Sequence, residues 1–271
     1  MNPSPLPAPL HNALRDFLAC LRFFSRLPLP ATSLAQDPHA APDLARLARM
    51  VPVAGGALGA IGALALGFAE ALGLPSLVCA TLAIGVLVLA AGALHEDGLA
   101  DVADGFGGGK TRERKLEIMR DSRIGAFGAT ALALSLMLRV AALAALIDQG
   151  RGAAAALILA GAASRAFALL PLSLLPPART DGLGAGAGRL EAGSALVAGL
   201  IALLFAIVLG AAALGLLHAI LALILALAAA LGMTRIARRQ IGGQTGDVAG
   251  AAQQLAEIAC LIGLLIGRHA A

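Results

Sequence analysis

Three aspartates, Asp97, Asp101 and Asp104, stand four and three residues apart in the stretch HEDGLADVADGFGGGKT, directly after an uncharged run. On a helix this spacing puts the three carboxylates on one face, where they repel one another unless a cation or protons intervene. Hard oxygen ligands suit Mg²⁺ or Mn²⁺, and Mg²⁺ is usually held by few carboxylates while it bridges substrate phosphates. The pattern predicts a site for a metal-bound diphosphate, with Asp97, Asp101 and Asp104 as metal ligands. His95 borders them and is a candidate for acid–base work, for orienting a substrate or for a structural hydrogen bond.

Two further segments carry compatible chemistry. The basic run RERKLEIMRDSR over 112–123 is helical by pattern, and Lys110, Arg120 and Arg123 are candidate phosphate-binding residues. Asp121 adds a carboxylate that serves as a base or a second metal ligand. The segment GGQTGD over 242–247 repeats the theme of glycines and one carboxylate, Asp247, before an apolar run, with Gly243 and Thr245 as candidate substrate contacts. Gly109-Lys110-Thr111 resembles the end of a nucleotide-binding G-x-x-x-x-G-K-[ST] loop. Its first glycine would fall at Asp104, however, and no strand precedes it, so that reading fails.

The elements that must position these residues are membrane helices. Of the 271 residues 59% are apolar and 13% charged, with a mean hydropathy of +0.87, whereas soluble domains are roughly 45–50% apolar. No Asp, Glu, Lys or Arg occurs from Ala192 to Thr234. As one helix that run would measure roughly 64 Å, about twice the hydrocarbon thickness, so it predicts two spans joined near Gly215–His218. Further spans are expected at 51–74, 76–94, 125–147, 152–175 and 249–267, giving seven in an all-α polytopic bundle, one membrane-embedded catalytic domain over 1–271. Residues 95–124 and 235–248 are expected as active-site loops, and the Pro-rich residues 1–13 as a disordered tail. Leu14, Phe17, Leu18, Leu21 and Phe24 share one helical face, which predicts an amphipathic helix on the membrane surface.

Charge orients the bundle. With the N-terminus cytoplasmic, 16 of the 20 Lys and Arg residues fall inside, Arg151 and Arg268 fall outside, and Arg139 and Arg165 lie within spans. Every long connection is then cytoplasmic, and the net charge of +4 reflects this bias and anionic membrane lipid; no nucleic acid partner is needed. Arg139, Arg165 and Glu257 are ionisable groups inside spans, with Arg165 and Glu257 expected to pair or to line a polar cavity. Cys20, Cys79 and Cys260 show no metal or disulfide spacing and are expected to pack in apolar surroundings.

HEDGLADVADG (95–105), EIMRDSRIGAFGA (117–129) and GGQTGDVAGAAQQLAE (242–257) resemble, in order, motifs of the cobalamin synthase (adenosylcobinamide-GDP ribazoletransferase) family. FLACLRFFSRLPLP (17–30) and VPVAGGALG (51–59) extend the resemblance over nearly the whole chain. Glu96 departs from it, standing where an apolar residue, usually Leu, is expected. The resemblance implies a Mg²⁺-dependent transferase of the last steps of cobalamin (vitamin B12) biosynthesis, in the cytoplasmic (inner) membrane of a prokaryote. A ribose hydroxyl of α-ribazole or its 5′-phosphate attacks adenosylcobinamide-GDP and GMP leaves; His95, Asp121 and Asp247 compete for the role of base. Association with other cobalamin-assembly enzymes and a homo-oligomer are compatible with that setting.

Rival readings fit less well. A CDP-alcohol phosphotransferase pattern, D-G-x-x-A-R followed by G-x-x-x-D-x-x-x-D, matches neither at the Ala-Arg step nor in the downstream order. A prenyltransferase shares only D-x-x-x-D spacing. A transporter would concentrate charge at mid-membrane, whereas here charge concentrates in cytoplasmic segments.

Overall fold

The computed structural model describes residues 8–29, 43–150, 152–180 and 190–267. Its regular elements are helical: α1 (Ala8–Phe24), α2 (Val51–Ala71), α3 (Ser76–Ala91), α4 (Leu94–Gly108), α5 (Arg112–Ile118), α6 (Ala126–Asp148), α7 (Ala153–Phe167), α8 (Leu169–Leu174), α9 (Ala192–Leu209), α10 (Leu216–Ile241) and α11 (Gly246–Leu265). Among the described residues six helical runs are long and apolar enough to cross a membrane, and α3 with α4, bent by 88°, makes a seventh if the pair is one broken span. Leu64, Phe68, Leu89, Leu204 and Leu217 point outward, a surface that suits lipid and would be an aggregation liability in water.

Burial decides which helices form the centre. Within an 18-residue apolar stretch of each run, 78% is buried in Ala153–Leu174 and 72% in Gly246–Leu265, against 28% in Ala192–Leu214, so α7, α8 and α11 run through the middle and α9 lies on the rim. Small residues permit the close contacts: Gly55 and Gly59 of α2 lie against the backbone of Gly161 and Leu157 of α7, where a Cβ would collide. The uncharged run from Ala192 divides at Gly215 (φ 79°), as its length predicts.

Several boundaries differ from the sequence expectation. The span expected at 76–94 stops at Ala91, because Gly92 (φ 65°) and Ala93 (φ 54°) turn left-handed. Ala93 N–H bonds the Val88 carbonyl at 2.9 Å and Gly92 N–H that of Leu89 at 3.1 Å, closing the end of α3. The chain then re-enters a helix, so the first half of the segment expected as a 95–124 loop is α4, with His95 and Glu96 buried in its first turn. Likewise residues 235–241, expected as part of a loop, are the last turns of α10, and only 242–245 connect it to α11. Part of the expected tail is helical from Ala8 onward; its first seven residues, Arg151, Arg189 and Arg268 lie outside the described residues.

In α1 the buried residues are Asp16, Cys20, Leu21 and Phe24, while Leu14 stays exposed. Asp16 turns that face inward by taking Arg46 at 2.6 Å and Arg49 at 2.9 Å. The three cysteines are free and buried.

Candidate active site

The spacing of Asp97, Asp101 and Asp104 does what it predicts locally, since all three lie on α4. α4 is held against the start of α11 by Gly98, where a Cβ would lie 2.9 Å from the Asp247 carbonyl oxygen and 3.1 Å from its Cα. This close approach brings Asp247 into the field of the aspartates: Asp101 feels the negative charges of Asp97, Asp247 and Asp104 and the positive charge of Arg179. Asp104 faces the next helix instead, its two oxygens accepting the backbone N–H groups of Gly125 at 2.7 Å and Gly128 at 2.8 Å. It thereby caps α6 from outside, a favourable place for a negative charge.

Asp247 is positioned by a short ordered connection. Gly242 closes α10 at φ 67°. Gln244 then pairs with the chain beside Pro177, its N–H on the Pro176 carbonyl and its carbonyl receiving Ala178 N–H, both at 2.8 Å. Gly243 packs so tightly on Pro176 and Ala178 that a Cβ would collide with them. Thr245 caps α11 through Val248 N–H at 3.2 Å, and its hydroxyl reaches Asp247 at 3.1 Å. Arg179 forms an ion pair with Asp247. Arg112 ties these pieces together, donating to the carbonyls of Ile241 at 2.7 Å and Ala178 at 2.8 Å.

Asp97, Asp247, His95, Arg120, Arg165 and Arg179 line one cavity of about 450 Å³, whose remaining wall includes Phe23, Phe24, Leu94, Leu169 and Leu172. His95 is buried, its ring stacked on Phe24 with centroids 5.8 Å apart and 12° between planes. Asp121 and Arg123 are not brought to this cavity. They bond one another on the exposed segment before α6, with Arg123 Nε 2.9 Å from Asp121 Oδ1, and this bond holds the Asp121 carboxyl down at about 2. Lys110 is exposed beyond the end of α4. Among the described residues no three His, Cys, Asp or Glu side chains stand close enough together to hold a metal ion by themselves.

Behind the first turn of α4 lies a second polar cluster at mid-bundle. Arg139 of α6, 2% exposed, is 3.0 Å from Glu96 and 3.4 Å from Glu257. Gln253 donates to Glu257 at 2.6 Å and to Ser164 at 2.9 Å, Gln254 donates to Glu96 at 3.2 Å, and Ser135 donates to Gln254 at 2.9 Å. The ion-pair partner of Glu257 is thus Arg139, while Arg165 bonds the Gly161 carbonyl at 3.4 Å and, as the second expectation has it, lines a small polar cavity together with Glu257. Arg112, which the basic run offered as a phosphate grip or a solvated side chain, instead holds backbone carbonyls, and sequence reasoning missed Arg179 and the two glutamines, since nothing in their spacing distinguishes them from ordinary polar residues.

The family described as Cobalamin-5-phosphate synthase matches residues 16–265. A protein of Azorhizobium caulinodans named adenosylcobinamide-GDP ribazoletransferase is 54% identical over 93% of this chain and 96% of its own length. Proteins of the same name from Xanthobacter autotrophicus and Mesorhizobium japonicum are 50% and 48% identical, over 95% and 92% of this chain and 98% and 92% of their own lengths. No solved structure matches.

Proposed function

The chain belongs to the cobalamin-5-phosphate synthase family, and we infer that it carries out the transfer its relatives are named for, joining α-ribazole or its 5′-phosphate to adenosylcobinamide-GDP with release of GMP. It is a multi-pass transferase of cobalamin biosynthesis in the cytoplasmic membrane. The observation that carries the site assignment is the cavity in which Asp97 and Asp247 face Arg120 and Arg179, on the side that the positive-inside rule makes cytoplasmic.

In this reading a ribose hydroxyl oxygen bonds to the corrinoid-side phosphorus. The bond from that phosphorus to the GMP oxygen breaks, and GMP leaves with the electron pair. Asp247, fixed by Arg179 and Thr245, takes the hydroxyl proton, and Arg120 and Arg179 offer cations to the diphosphate. His95, in the wall against Phe24, orients the acceptor. Thr245 and Gly243 serve the site by placing Asp247.

The donor set suits Mg²⁺, which needs only one or two carboxylates when substrate phosphates complete its shell. Asp97 and Asp101 would hold it, while Asp104 keeps its oxygens on α6. When bound, the ion supplies charge neutralisation for the diphosphate. Association with other cobalamin-assembly enzymes and a homo-oligomer belong to the same proposal; both are read by co-purification from mild detergent.

Membranes containing the chain, supplied with adenosylcobinamide-GDP and α-ribazole, should release GMP and form corrinoid product together, dependent on added Mg²⁺. Asp97→Ala and Asp101→Ala should each lower turnover by roughly 10²-fold or more. Absence of product from folded wild-type protein would refute the transfer, and near-wild-type turnover in both variants would refute the metal assignment.

A further inference from the structure

Arg179 lines the cavity and pairs with Asp247, yet it stands in the irregular run 175–180, where no helix holds its backbone. A side chain on an untethered run presents its guanidinium at no fixed place. The residue just before it, however, is held by both of its backbone groups. Ala178 N–H donates to the Gln244 carbonyl, and the Ala178 carbonyl accepts from Arg112 Nη2, each at 2.8 Å. Arg112 Nε donates in addition to the Ile241 carbonyl at 2.7 Å. One planar guanidinium thus spans the end of α10 and the run that carries Arg179.

We infer that Arg112 is a positioning residue of the transfer: it fixes the backbone of Arg179, so that the Arg179 guanidinium meets Asp247 and the diphosphate at one place. The inference rests on the transferase reading above and extends it to a residue outside the cavity wall.

Simpler roles for Arg112 account for less. A cap on α10 needs only the bond to Ile241, one of its last carbonyls, where a cation is favourable; the bond to Ala178 goes to a run that is not helical. A phosphate grip needs free donors aimed at the cavity, whereas Nε and Nη2 are committed to carbonyls. A loose surface contact would let Arg112 drift, but α5 is locked onto the end of α4. A Cβ on Gly109 would lie 2.8 Å from the Lys115 backbone nitrogen, and one on Gly105 3.0 Å from the Lys115 carbonyl oxygen. Lys115 then ties α5 to α10 through Gln240. Because α4 carries Asp97 and Asp101, this bracket sets Arg179 relative to those carboxylates as well as to Asp247. The charge of Arg179 is indeed felt at Asp101.

The test uses the full chain in nanodiscs, with Arg112→Lys, Arg179→Ala and the two combined. Lysine keeps the charge but lacks the fork that bridges two carbonyls. Arg179→Ala should lower kcat/KM for adenosylcobinamide-GDP roughly 10²-fold and Arg112→Lys roughly tenfold, with the KM for α-ribazole within about twofold of wild type. On top of Arg179→Ala, Arg112→Lys should cost less than about a further twofold, since a residue that acts through Arg179 then has nothing left to place. A further loss of roughly tenfold in the double variant, or a rise in the α-ribazole KM in place of the donor effect, overturns the inference. Hydrogen exchange reads the same contact without turnover. The amides of 178–180 should exchange roughly tenfold faster in Arg112→Lys than in wild type, while those of α7 and α11 keep their rates. Unchanged exchange at 178–180 overturns the inference whatever the turnover. If Arg112→Lys does not fold, Arg112→Gln, which keeps a single donor group, replaces it in both measurements. Wild-type protein that makes no product, while the variant loosens 178–180, would sink the transferase reading and leave the placement of Arg179 standing.

Discussion

Replacing Arg139 by Leu should be among the most damaging single changes in the bundle, and more damaging than a double change that includes it. Arg139 lies between two buried carboxylates, 3.0 Å from Glu96 and 3.4 Å from Glu257. With Arg165 close enough for its charge to be felt by both, the cluster holds two cations and two anions. Arg139→Leu leaves one negative charge without compensation in a dry interior, which typically costs about 3–5 kcal/mol. Glu96→Leu leaves Gln254 with its other partners at 2.9 Å, but by the same count it leaves one positive charge without compensation, so the cost expected is likewise about 3–5 kcal/mol. The double variant, Glu96→Leu with Arg139→Leu, restores neutrality through Arg165 and Glu257 and should be more stable than Arg139→Leu alone. Unfolding of all four proteins in one detergent, by SDS titration or by heat, closes the cycle. If Arg139→Leu costs less than about 1 kcal/mol, or if the double variant is the least stable of the set, the cluster is not the compensated charge network described.

Other changes test the site more locally. Asp104→Ala removes the acceptor for Gly125 and Gly128 N–H and should cost about 1–2 kcal/mol, while the Mg²⁺ concentration for half-maximal turnover stays near the wild-type value; a large rise in that concentration would make Asp104 a ligand after all. Asp121, held at about 2 by Arg123, below its ordinary 3.8, gains its stabilisation fully above 3.8 and loses it only as the pH falls toward 2. The carboxylate is therefore already ionised above about pH 5, so Asp121→Asn should leave the shape of the pH–rate profile unchanged between pH 5 and 9, and loss of an acid limb there would place Asp121 in the chemistry. Ala93→Gly relieves a left-handed alanine at φ 54° and should stabilise the bundle by up to about 1–2 kcal/mol, read in the same unfolding assay; destabilisation would mean that the Ala93 methyl contributes more by packing than the backbone strain costs.

What the sequence made legible follows from which features are local. An uncharged run such as Ala192 to Thr234 can be divided by length alone, because bilayer thickness fixes the size of its pieces, and the turn does fall at Gly215. The register of Asp97, Asp101 and Asp104 is likewise local, since a helix puts such a spacing on one face wherever it sits. Their separate fates are not local: Asp104 turns to α6 because Gly125 and Gly128 offer N–H groups there, and Asp97 turns to the cavity because Gly98 lets α11 approach. The break at Gly92–Ala93 was equally hidden, one glycine among 33 followed by a residue that ordinarily avoids positive φ. That break carries the most functional weight. α3 has 16 residues, about 24 Å of helix and short of the roughly 30 Å hydrocarbon core. The turn after it sets His95 and Glu96 deep in the bundle while Asp97 faces the cavity. Glu96 thereby gains Arg139 and Gln254 as partners. One buried turn of α4 thus joins the polar cluster that anchors the helix to the face that lines the cavity, and a straight span ending in a loop would have separated the two.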